Sequence, residues 1–415
     1  MSWAHRDAVL AEVEELGQRF VAAGWKLYLV GGIVRDLWLD QGRDSSSDID
    51  LTTDARPADI KALIRDLADA VWLQGERFGT IGAQINGRAL EITTHRAEVY
   101  RPDSRKPEVA FGDRIEDDLA RRDFTVNAMA LTVPGGELID PFGGQDDLQA
   151  GVLRTPLDPD VSFTDDPLRM MRAARFANRF AFTPDPALVA SATRLADRID
   201  IVAVERVRDE LDKMLGAPVV EVGLRLLDQT GLLTRVVSGA GAPSVALASR
   251  SPAPWWLRLA ALIMPLAEGS GAVRPLTNRL RLSKEDRANV ERALELTALL
   301  EPGTRELTDA HVRGWVLRAG PHANPVWALA EQRWGAAPLI AFRDRWDQLA
   351  ADEDLGDNSA PLDGNKISQI LGVEPGPVLG EAVSLLEITR LERGPLTARD
   401  AEAVLREWWA ARPAD

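Results

Sequence analysis

The sequence predicts an α+β fold in which a mixed α/β part comes first and an all-helical part follows. Short apolar runs and alternating apolar and polar residues, both typical of β-strands, occur before residue 145. Two of these runs are joined by Asn86-Gly87, a strong hairpin signal because both turn positions require a positive φ angle. Beyond Gly151 apolar residues recur mainly at helical spacing. We therefore expect a mixed sheet near the N-terminus and helices after it.

Composition limits the classes of protein to consider. A length of 415 residues predicts roughly three domain-sized units. The absence of cysteine excludes disulfides and thiolate metal sites and fits a reducing cytoplasm. The four histidines are not grouped at ligand spacing, which argues against a histidine-built zinc site. The net charge of -15 argues only mildly against nucleic acid as a partner, because phosphate binding depends on local patches.

The N-terminal segment predicts an amphipathic helix rather than a membrane element. Val9, Val13, Leu16 and Phe20 recur at helical spacing, and residues 1–20 contain no signal-peptide core. No apolar run in the sequence is long enough to span a bilayer. We expect no membrane partner.

The stretch from Leu27 to Asp36 predicts a strand, a Gly31-Gly32 turn and a helix. Such a turn presents free backbone N–H groups and the positive end of a helix, which together suit a phosphate. Asp48 and Asp50 follow and alternate with apolar residues, so both carboxylates share one face of a strand. Each motif alone is common in turns and solvated strands. Together, about a dozen residues apart, they predict a metal platform beside a phosphate cradle.

A third carboxylate is expected from the hairpin that follows the predicted helix 57–70. Its strands span residues 80–85 and 88–94, and Leu90 and Ile92 face one way while Glu91 and Thr93 face the other. Glu91 joins the aspartates if the hairpin pairs beside their strand. The alternative is an ordinary solvent-facing glutamate.

The next segments predict a loop, a helix and a hinge. Residues 97–111 are polar and carry two prolines, as expected of a mobile loop. Residues 114–130 are predicted to be helical, and residues 140–144 predict the hinge after the mixed α/β part.

The helical part carries two basic features. A helix is predicted to begin near Asp166, which either caps it or has a chemical role, and Pro167 suits its first turn. One face of this helix carries a stripe of Arg169, Arg172, Arg175 and Arg179. Later helices are predicted at 204–215, 219–230, 255–264 and 283–300, and residues 238–254 are predicted to be a connection. Residues 274–292 gather six basic side chains and form a candidate phosphate-binding surface.

With these motifs in order, the chain resembles the class II tRNA nucleotidyltransferases, the CCA-adding enzymes and their poly(A) polymerase relatives. The resemblance covers nearly the whole length. The motifs are Gly31-Gly32-x-Val34-Arg35-Asp36, Asp48-x-Asp50, Phe78-Gly79-Thr80, Glu91-Ile92-Thr93-Thr94, Arg121-Arg122-Asp123-Phe124-Thr125 with Asn127-Ala128, Asp140 to Leu148, and Asp165-Asp166-x-x-Arg169.

The resemblance implies a polymerase-β-like nucleotidyltransferase head with a mixed sheet, followed by an all-helical neck, body and tail. The head corresponds to residues 1–145 and the neck, with its base-reading motif, to residues 146–215. The body corresponds to residues 216–310 and the tRNA-binding tail to residues 311–415.

The resemblance also implies site residues. Asp48 and Asp50 would hold two Mg²⁺ ions, and Glu91 would assist the attacking hydroxyl group. The other implied contacts are to the incoming nucleotide: Gly31, Gly32 and Arg35 to its triphosphate, Arg122, Asp123 and Asn127 to its ribose, Asp166 and Arg169 to its base, and Arg172 to the nucleotide or to that base-reading pair.

The implied reaction is untemplated addition of CCA to the tRNA 3′ end from CTP and ATP in the cytoplasm, with release of pyrophosphate. There are two alternatives. One is an A-adding enzyme or poly(A) polymerase of the same family, and the other is a catalytically silent RNA-binding relative. Glu76-Arg77-Phe78-Gly79-Thr80 stands where the polymerases usually carry an Arg-rich signature, which favours CCA addition. The base-reading motif has Asp165 where the family often has Glu, but it keeps the acceptor Asp166.

Overall fold

The computed structural model describes residues 5–39, 48–99, 108–252, 254–266, 273–304, 306–357, 359 and 361–412. The chain divides into two compact units, Met1–Met214 with Val222–Val236 and Leu215–Glu221 with Val237–Asp415. The four domains implied by the resemblance remain a prediction. Among the described residues, no helix is both long enough and apolar enough to cross a membrane.

The first unit contains the β-structure of the described chain. In chain order its strands are β1 Leu27–Val30, β2 Ile49–Thr53, β3 Ala70–Trp72, β4 Thr80–Ile85, β5 Arg88–Thr94, β6 Arg96–Val99, β7 Glu108–Phe111, β8 Ala130–Val133, β9 Leu138–Ile139, β10 Val152–Leu153 and β11 Thr183–Pro184. Helices in this part of the chain are α1 Arg6–Ala22, α2 Gly32–Trp38, α3 Pro57–Ile64, α4 Ile115–Ala120, α5 Gly144–Ala150, α6 Pro159–Asp165, α7 Leu168–Phe180, α8 Pro186–Arg194, α9 Val204–Leu215, α10 Glu221–Gln229 and α11 Leu232–Val236.

Seven strands form one mixed sheet in the order β3-β4-β5-β2-β1-β8-β9. Among its described strand pairs, only β2 with β5 is parallel. This pairing places the hairpin of β4 and β5 directly beside the strand that carries Asp50. The predicted mixed sheet is confirmed, and so is the hairpin, whose turn residues Asn86 and Gly87 have φ angles of 51° and 75°.

The N-terminal helix is confirmed as α1, which buries all four residues that predicted it: Val9, Val13, Leu16 and Phe20. The strand, turn and helix around Gly31-Gly32 are confirmed as β1 and α2. The helix predicted for residues 57–70 is too long, because α3 ends at Ile64 and the chain enters β3 at Ala70. A three-residue strand is too short to show alternation, so it gave no sequence signal.

The helix predicted for residues 114–130 is wrong beyond Ala120. The chain forms a short 3₁₀ helix at Thr125–Asn127 and then enters β8. Asp123 causes part of this change, because its carboxylate accepts hydrogen bonds from the Phe124 backbone N–H and from Asn127. Asp and Asn side chains that bond to nearby backbone compete with helix formation in this way.

The loop predicted for residues 97–111 begins and ends in strands. β6 and β7 pair in antiparallel register as a separate two-stranded sheet, and residues 100–107 between them lie outside the described residues. Two-residue strands β10 and β11, which pair in parallel, were also missed within the predicted helical part.

The second unit is helical in all of its described residues that form regular structure. Its helices are α12 Ala242–Arg250, α13 Trp255–Ile263, α14 Val273–Arg279, α15 Lys284–Leu299, α16 Asp309–Ala319, α17 Ala323–Trp334, α18 Ile340–Asp352, α19 Gly364–Leu371, α20 Pro377–Arg393 and α21 Ala398–Ala410. The connection predicted at 238–254 is wrong, because it contains α12. An aromatic cluster centred on the buried Trp315 packs part of this unit, with the ring of Trp346 at a centroid distance of 5.4 Å.

Candidate active site

The proposed catalytic carboxylates meet on two adjacent strands. In the parallel pair, Asp50 of β2 is the register partner of Glu91 of β5, so both side chains project from the same face of the sheet. A cavity of about 310 Å³ opens over this face. It is lined by Val30, Asp50, Leu51, Thr80, Glu91, Thr93, Arg96, Asp118, Arg121 and Arg122. The condition set by the sequence for Glu91, pairing beside the aspartate strand, is therefore met.

The surroundings of Asp50 disfavour its charged form. Burial by the surrounding protein raises the pKa of this carboxyl group to about 6, although the side chain retains access to solvent. Arg122 opposes the shift, while the negative charges of Glu91 and Asp48 add to it. Clustered carboxylates repel one another, and a bound cation relieves such repulsion. The electrostatics of this face therefore favour a positively charged ligand.

The glycine turn lies against the carboxylates. Gly31 has a φ angle of 77°, and a Cβ atom there would lie 3.0 Å from Nη1 of Arg122 and 3.6 Å from Oδ2 of Asp50. A side chain would thus be strained by the backbone conformation and would crowd the arginine. The structure places Gly31 beside the cavity, as expected. Gly32 begins α2 and lies against the guanidinium group of Arg35.

Arg35 points into the protein interior. Its side chain is buried, and its Nη1 atom donates a hydrogen bond of 2.5 Å to Oδ1 of Asn127. It also pairs with Asp36 at 2.7 Å and lies 4.5 Å from the ring centroid of Phe180. Burial lowers the pKa of this guanidinium group from its usual value. This placement does not support the direct triphosphate contact implied for Arg35.

Asp123 and Asn127 belong to the same buried network. Nδ2 of Asn127 donates to Oδ1 of Asp123 at 2.9 Å, and Arg172 of α7 donates from Nη2 to Oδ2 of Asp123 at 2.5 Å. Burial alone would raise the pKa of Asp123, but the charge of Arg172 and hydrogen bonds from Asn127, Arg172 and Phe124 lower it. The network thus joins the sequence motif around Asp123 to helix α7.

Two arginines of the α7 stripe pair with acidic side chains. Arg172 pairs with Asp123, and Arg175 donates from Nε to Oε2 of Glu210 at 2.5 Å. Glu210 comes from α9 and is buried. Two of the four arginines in the predicted stripe are therefore paired with acidic side chains. No local pattern could have identified Glu210, because it meets its partner only through the packing of α7 against α9.

Asp166 and Arg169, for which the resemblance implies base recognition, lie at the junction of α6 and α7. Oδ1 of Asp166 accepts a hydrogen bond from the backbone N–H of Leu168 at 3.2 Å, and Oδ2 lies 3.2 Å from Nη2 of Arg206. Arg169 donates to Oγ of Ser162 at 2.9 Å and to the backbone carbonyl of Arg121 at 2.5 Å. Because Arg121 lines the cavity, this last bond connects α7 to the cavity wall. Asp166 thus bonds to the first residue of α7, whose N-cap residue is Pro167.

Sequence reasoning missed several residues of the cavity wall. Arg121 precedes Arg122 in the sequence, and Asp118 forms an ion pair with Arg122. Arg96 follows the strand that carries Glu91. Strand alternation identifies Thr93 as sharing the face of Glu91, and Thr80 is its register partner on β4. These threonines are joined by a hydrogen bond of 3.0 Å between their Oγ1 atoms. The pairing of β4 with β5 is what brings Thr80 into the site.

The donor set fits a hard divalent cation. Asp50 lies within β2 and lines the cavity, and Asp48 immediately precedes the strand, close enough for its charge to act on Asp50. Within the described ranges, no group of three or more His, Cys, Asp or Glu side chains could hold a metal ion by itself. Two carboxylates with water and substrate phosphate oxygens suit Mg²⁺-like ions, which seldom occupy all-protein cages.

Comparisons with known proteins agree with this arrangement. A family model described as the poly A polymerase head domain matches residues 27–154. A second, described as a probable RNA and SrmB binding site of polymerase A, matches residues 181–241.

Curated relatives from several bacteria carry the name CCA-adding enzyme. The relative from Limosilactobacillus reuteri is 38% identical over 226 residues, and the one from Geobacillus thermodenitrificans is 40% identical over 216 residues. These two alignments span 54% and 50% of the relatives, about half of their lengths. The relative from Limosilactobacillus fermentum is 31% identical over 387 residues, which are 91% of this chain and 90% of the relative.

Solved structures match over nearly the whole chain. The CCA-adding enzyme of Bacillus stearothermophilus in complex with CTP aligns with a TM-score of 0.76 and 27% identity, covering 96% of this chain and 97% of that chain. The Thermotoga maritima enzyme complexed with tRNA shares the fold at a TM-score of 0.69 and 21% identity, over 96% of this chain and 94% of that one. With the carboxylate pair, the glycine turn and the cavity, these similarities show that the chain belongs to the CCA-adding enzyme family of nucleotidyltransferases, whose members generally depend on a divalent metal.

Proposed function

We propose that the protein adds C, C and A to the 3′ ends of tRNA, using CTP and ATP and releasing pyrophosphate. The observation that carries the proposal is the pairing of Asp50 with Glu91 beside Gly31, at a cavity that also contains Arg121 and Arg122. Carboxylates and arginines at one cavity suit a metal-dependent reaction of a polyphosphate. Membership of the family supports this choice among phosphoryl-transfer reactions.

Asp48 and Asp50 are the residues that would hold Mg²⁺. Asp50 lines the cavity, and the charge of Asp48, two residues earlier, adds to the rise in the Asp50 pKa that burial causes. When bound, Mg²⁺ supplies positive charge that stabilises the attacking and leaving oxygens of an in-line displacement. Glu91, on the neighbouring strand, would accept the proton of the RNA 3′ hydroxyl group, a role supported by its pairing with Asp50.

The reaction breaks a phosphoanhydride bond of the nucleotide and forms a phosphodiester bond in the RNA. The 3′ oxygen of the RNA attacks the α-phosphorus of the nucleotide, and the bond to the bridging oxygen of pyrophosphate breaks. Arg122, held by Asp118 at 3.2 Å, would bind nucleotide phosphate oxygens. Arg35 would act indirectly. Its hydrogen bond fixes the side chain of Asn127, which in turn donates a hydrogen bond to Asp123 in the buried network. Asp123, Asn127 and Arg172 would form one rigid support for the ribose side of the site.

Asp166 and Arg169 would select the base. A carboxylate accepts a hydrogen bond from an amino group, and a guanidinium group donates to a ring nitrogen. Cytosine and adenine both present this pair of groups on their Watson–Crick edge, whereas uracil and guanine do not present it on theirs. The bond from Arg169 to the carbonyl of Arg121 supports a base site adjoining the cavity. A cytoplasmic location is proposed from the tRNA substrate and the absence of cysteine from the sequence.

The test is extension of three tRNAs that end before CCA, after C and after CC. Purified protein is supplied with Mg²⁺, CTP and ATP, and the products are weighed by mass spectrometry. Completion of all three to CCA, followed by a stop, is the expected result. Growth from the CC end alone would identify an A-adding enzyme, and long A tails would identify a poly(A) polymerase. Binding of tRNA without any extension would identify a silent RNA-binding relative.

Asp48→Ala tests the proposed metal site directly, because it removes one proposed metal ligand and leaves the rest of the protein unchanged. It should abolish extension, while binding of tRNA stays within about twofold of the wild-type value, since RNA affinity is dominated by basic contacts elsewhere. Intact extension by this variant would contradict the proposed metal platform.

A further inference from the structure

An exposed tryptophan lies in the same row of the sheet as the catalytic carboxylates. Trp72 of β3 is the register partner of Gly82, Gly82 is the partner of Glu91, and Glu91 is the partner of Asp50. Register partners on adjacent strands project from the same face. Trp72 therefore projects from the catalytic face, two strand spacings or about 10 Å from Glu91.

The missing side chain at Gly82 lets the indole ring lean along the sheet. A Cβ atom at Gly82 would lie 3.1 Å from Cε3 of Trp72, so the six-membered ring lies over this glycine. The residue is nevertheless 45% exposed, which is unusual for so large an apolar side chain. Trp72 therefore covers the glycine with one part of the ring and leaves the rest accessible.

The ring adjoins the cavity wall. Gly82 lies between two residues of that wall, with Thr80 two positions away on the same strand and Glu91 opposite on β5. Arg96, also in the wall, donates from Nη2 to Oγ1 of Thr80 at 3.1 Å. A polymer that enters the cavity from this side passes an aromatic surface and then an arginine. Single-stranded RNA matches this order, because its bases stack on aromatic rings and its phosphates bind arginines.

We propose that Trp72 is a stacking platform for one of the last two unpaired bases of the RNA acceptor, and so positions the 3′ hydroxyl group near Glu91. The distance supports this assignment, because the interval of about 10 Å between Glu91 and Trp72 is two strand spacings, short enough to lie within the unpaired end of the RNA. The inference rests on the proposed function, since it assumes an RNA 3′ end at Glu91.

The test compares Trp72→Ala, Trp72→Phe and the control Val71→Ala. Val71 adjoins Trp72 on β3 and is also exposed, at 42%, but alternation directs it to the other face. We expect Trp72→Ala to raise KM for a tRNA ending in CC about tenfold, from the usual strength of base stacking, while KM for ATP changes less than about twofold. Trp72→Phe should recover most of the loss, and Val71→Ala should have no effect.

An abasic nucleotide gives a readout that a purely structural role would not affect. In the wild-type protein, removing the stacked base from the last or next-to-last position of the tRNA should raise KM about tenfold. In Trp72→Ala the same removal should cost less than about twofold, because the stacking partner is already absent. An abasic nucleotide in the anticodon loop is the control substrate.

The outcomes separate this inference from the proposed function. If wild-type protein extends the tRNA but Trp72→Ala has an unchanged KM, or abasic effects are equal in both proteins, the stacking role is wrong. If Trp72→Ala converts a dimer to a monomer in sedimentation velocity without changing KM, this edge of the sheet binds a second copy instead. If the wild-type protein extends no tRNA, the proposed function fails. In that case the stacking role is tested by binding alone, and equal affinity of wild-type and Trp72→Ala protein for the CC-ended tRNA in fluorescence anisotropy would refute it.

Discussion

Replacing Asp50 by asparagine removes a carboxyl group whose pKa the folded protein raises from 3.8 to about 6. The folded state therefore holds this proton more tightly than the unfolded chain does. Between about pH 4 and about pH 6 the folded state binds more protons, so the contribution of Asp50 to stability falls as pH rises through that window. Above about pH 6 the folded protein bears the full free-energy cost of keeping the Asp50 carboxylate charged. The amide of the Asp50→Asn variant is uncharged and carries none of this penalty.

The size of this effect follows from the shift. A change from 3.8 to about 6 corresponds to about 3 kcal/mol if taken in full. Asp50 retains solvent access, and the side chain of Arg122 lies near it, so screening reduces the expected gain to about 1 kcal/mol. We expect the metal-free Asp50→Asn protein to be more stable than wild type by this amount at about pH 8, and equal to it at about pH 3, below the unfolded pKa.

The assay is thermal unfolding of wild-type and variant protein with a chelator, followed by circular dichroism across this pH range. Asp66→Asn is the control, because Asp66 is exposed and its hydrogen bond with Arg19 lowers its pKa, so no gain with rising pH is expected. Adding Mg²⁺ should stabilise the wild-type protein and have less effect on Asp50→Asn. A stability difference that does not change with pH, or destabilisation of the metal-free variant at high pH, would refute the electrostatic reasoning.

Two further predictions concern the network around the site. Asp123→Ala leaves Arg172 and Asn127 without their shared partner, so we expect the first unit to lose about 3 kcal/mol, measured by urea unfolding; a loss below about 1 kcal/mol would mean that the network relaxes. Asp166→Ala should reduce discrimination between CTP and UTP more than it weakens tRNA binding, as measured by kcat/KM for each nucleotide; unchanged preference would contradict its assignment as base reader.

Local sequence patterns predicted the elements whose physical cause is local. The alternation around Glu91 predicts that Leu90 and Ile92 lie in the core and that the carboxylate lies on the opposite face. Both strands of the hairpin show this alternating burial. Asn86-Gly87 predicted the turn because few other pairs adopt positive φ angles at both positions. The end of the helix at Ala120 was missed, because the polar groups that replace helical hydrogen bonds have partners distant in sequence, such as the carbonyl of Arg154 for the N–H of Thr125.

Local sequence patterns identified the candidate groups of the site: two alternating aspartates after a glycine turn, a glutamate on a hairpin strand, and an Asp-Arg pair where a later helix begins. The tertiary structure decided which of these groups face the cavity. Parallel pairing of β2 with β5 brings Glu91 beside Asp50, whereas burial against Phe180 turns Arg35 away toward Asn127. The physical reason is that a side-chain alternation specifies a face but not the neighbouring strand, and that a charge finds its buried partner only when distant segments pack together.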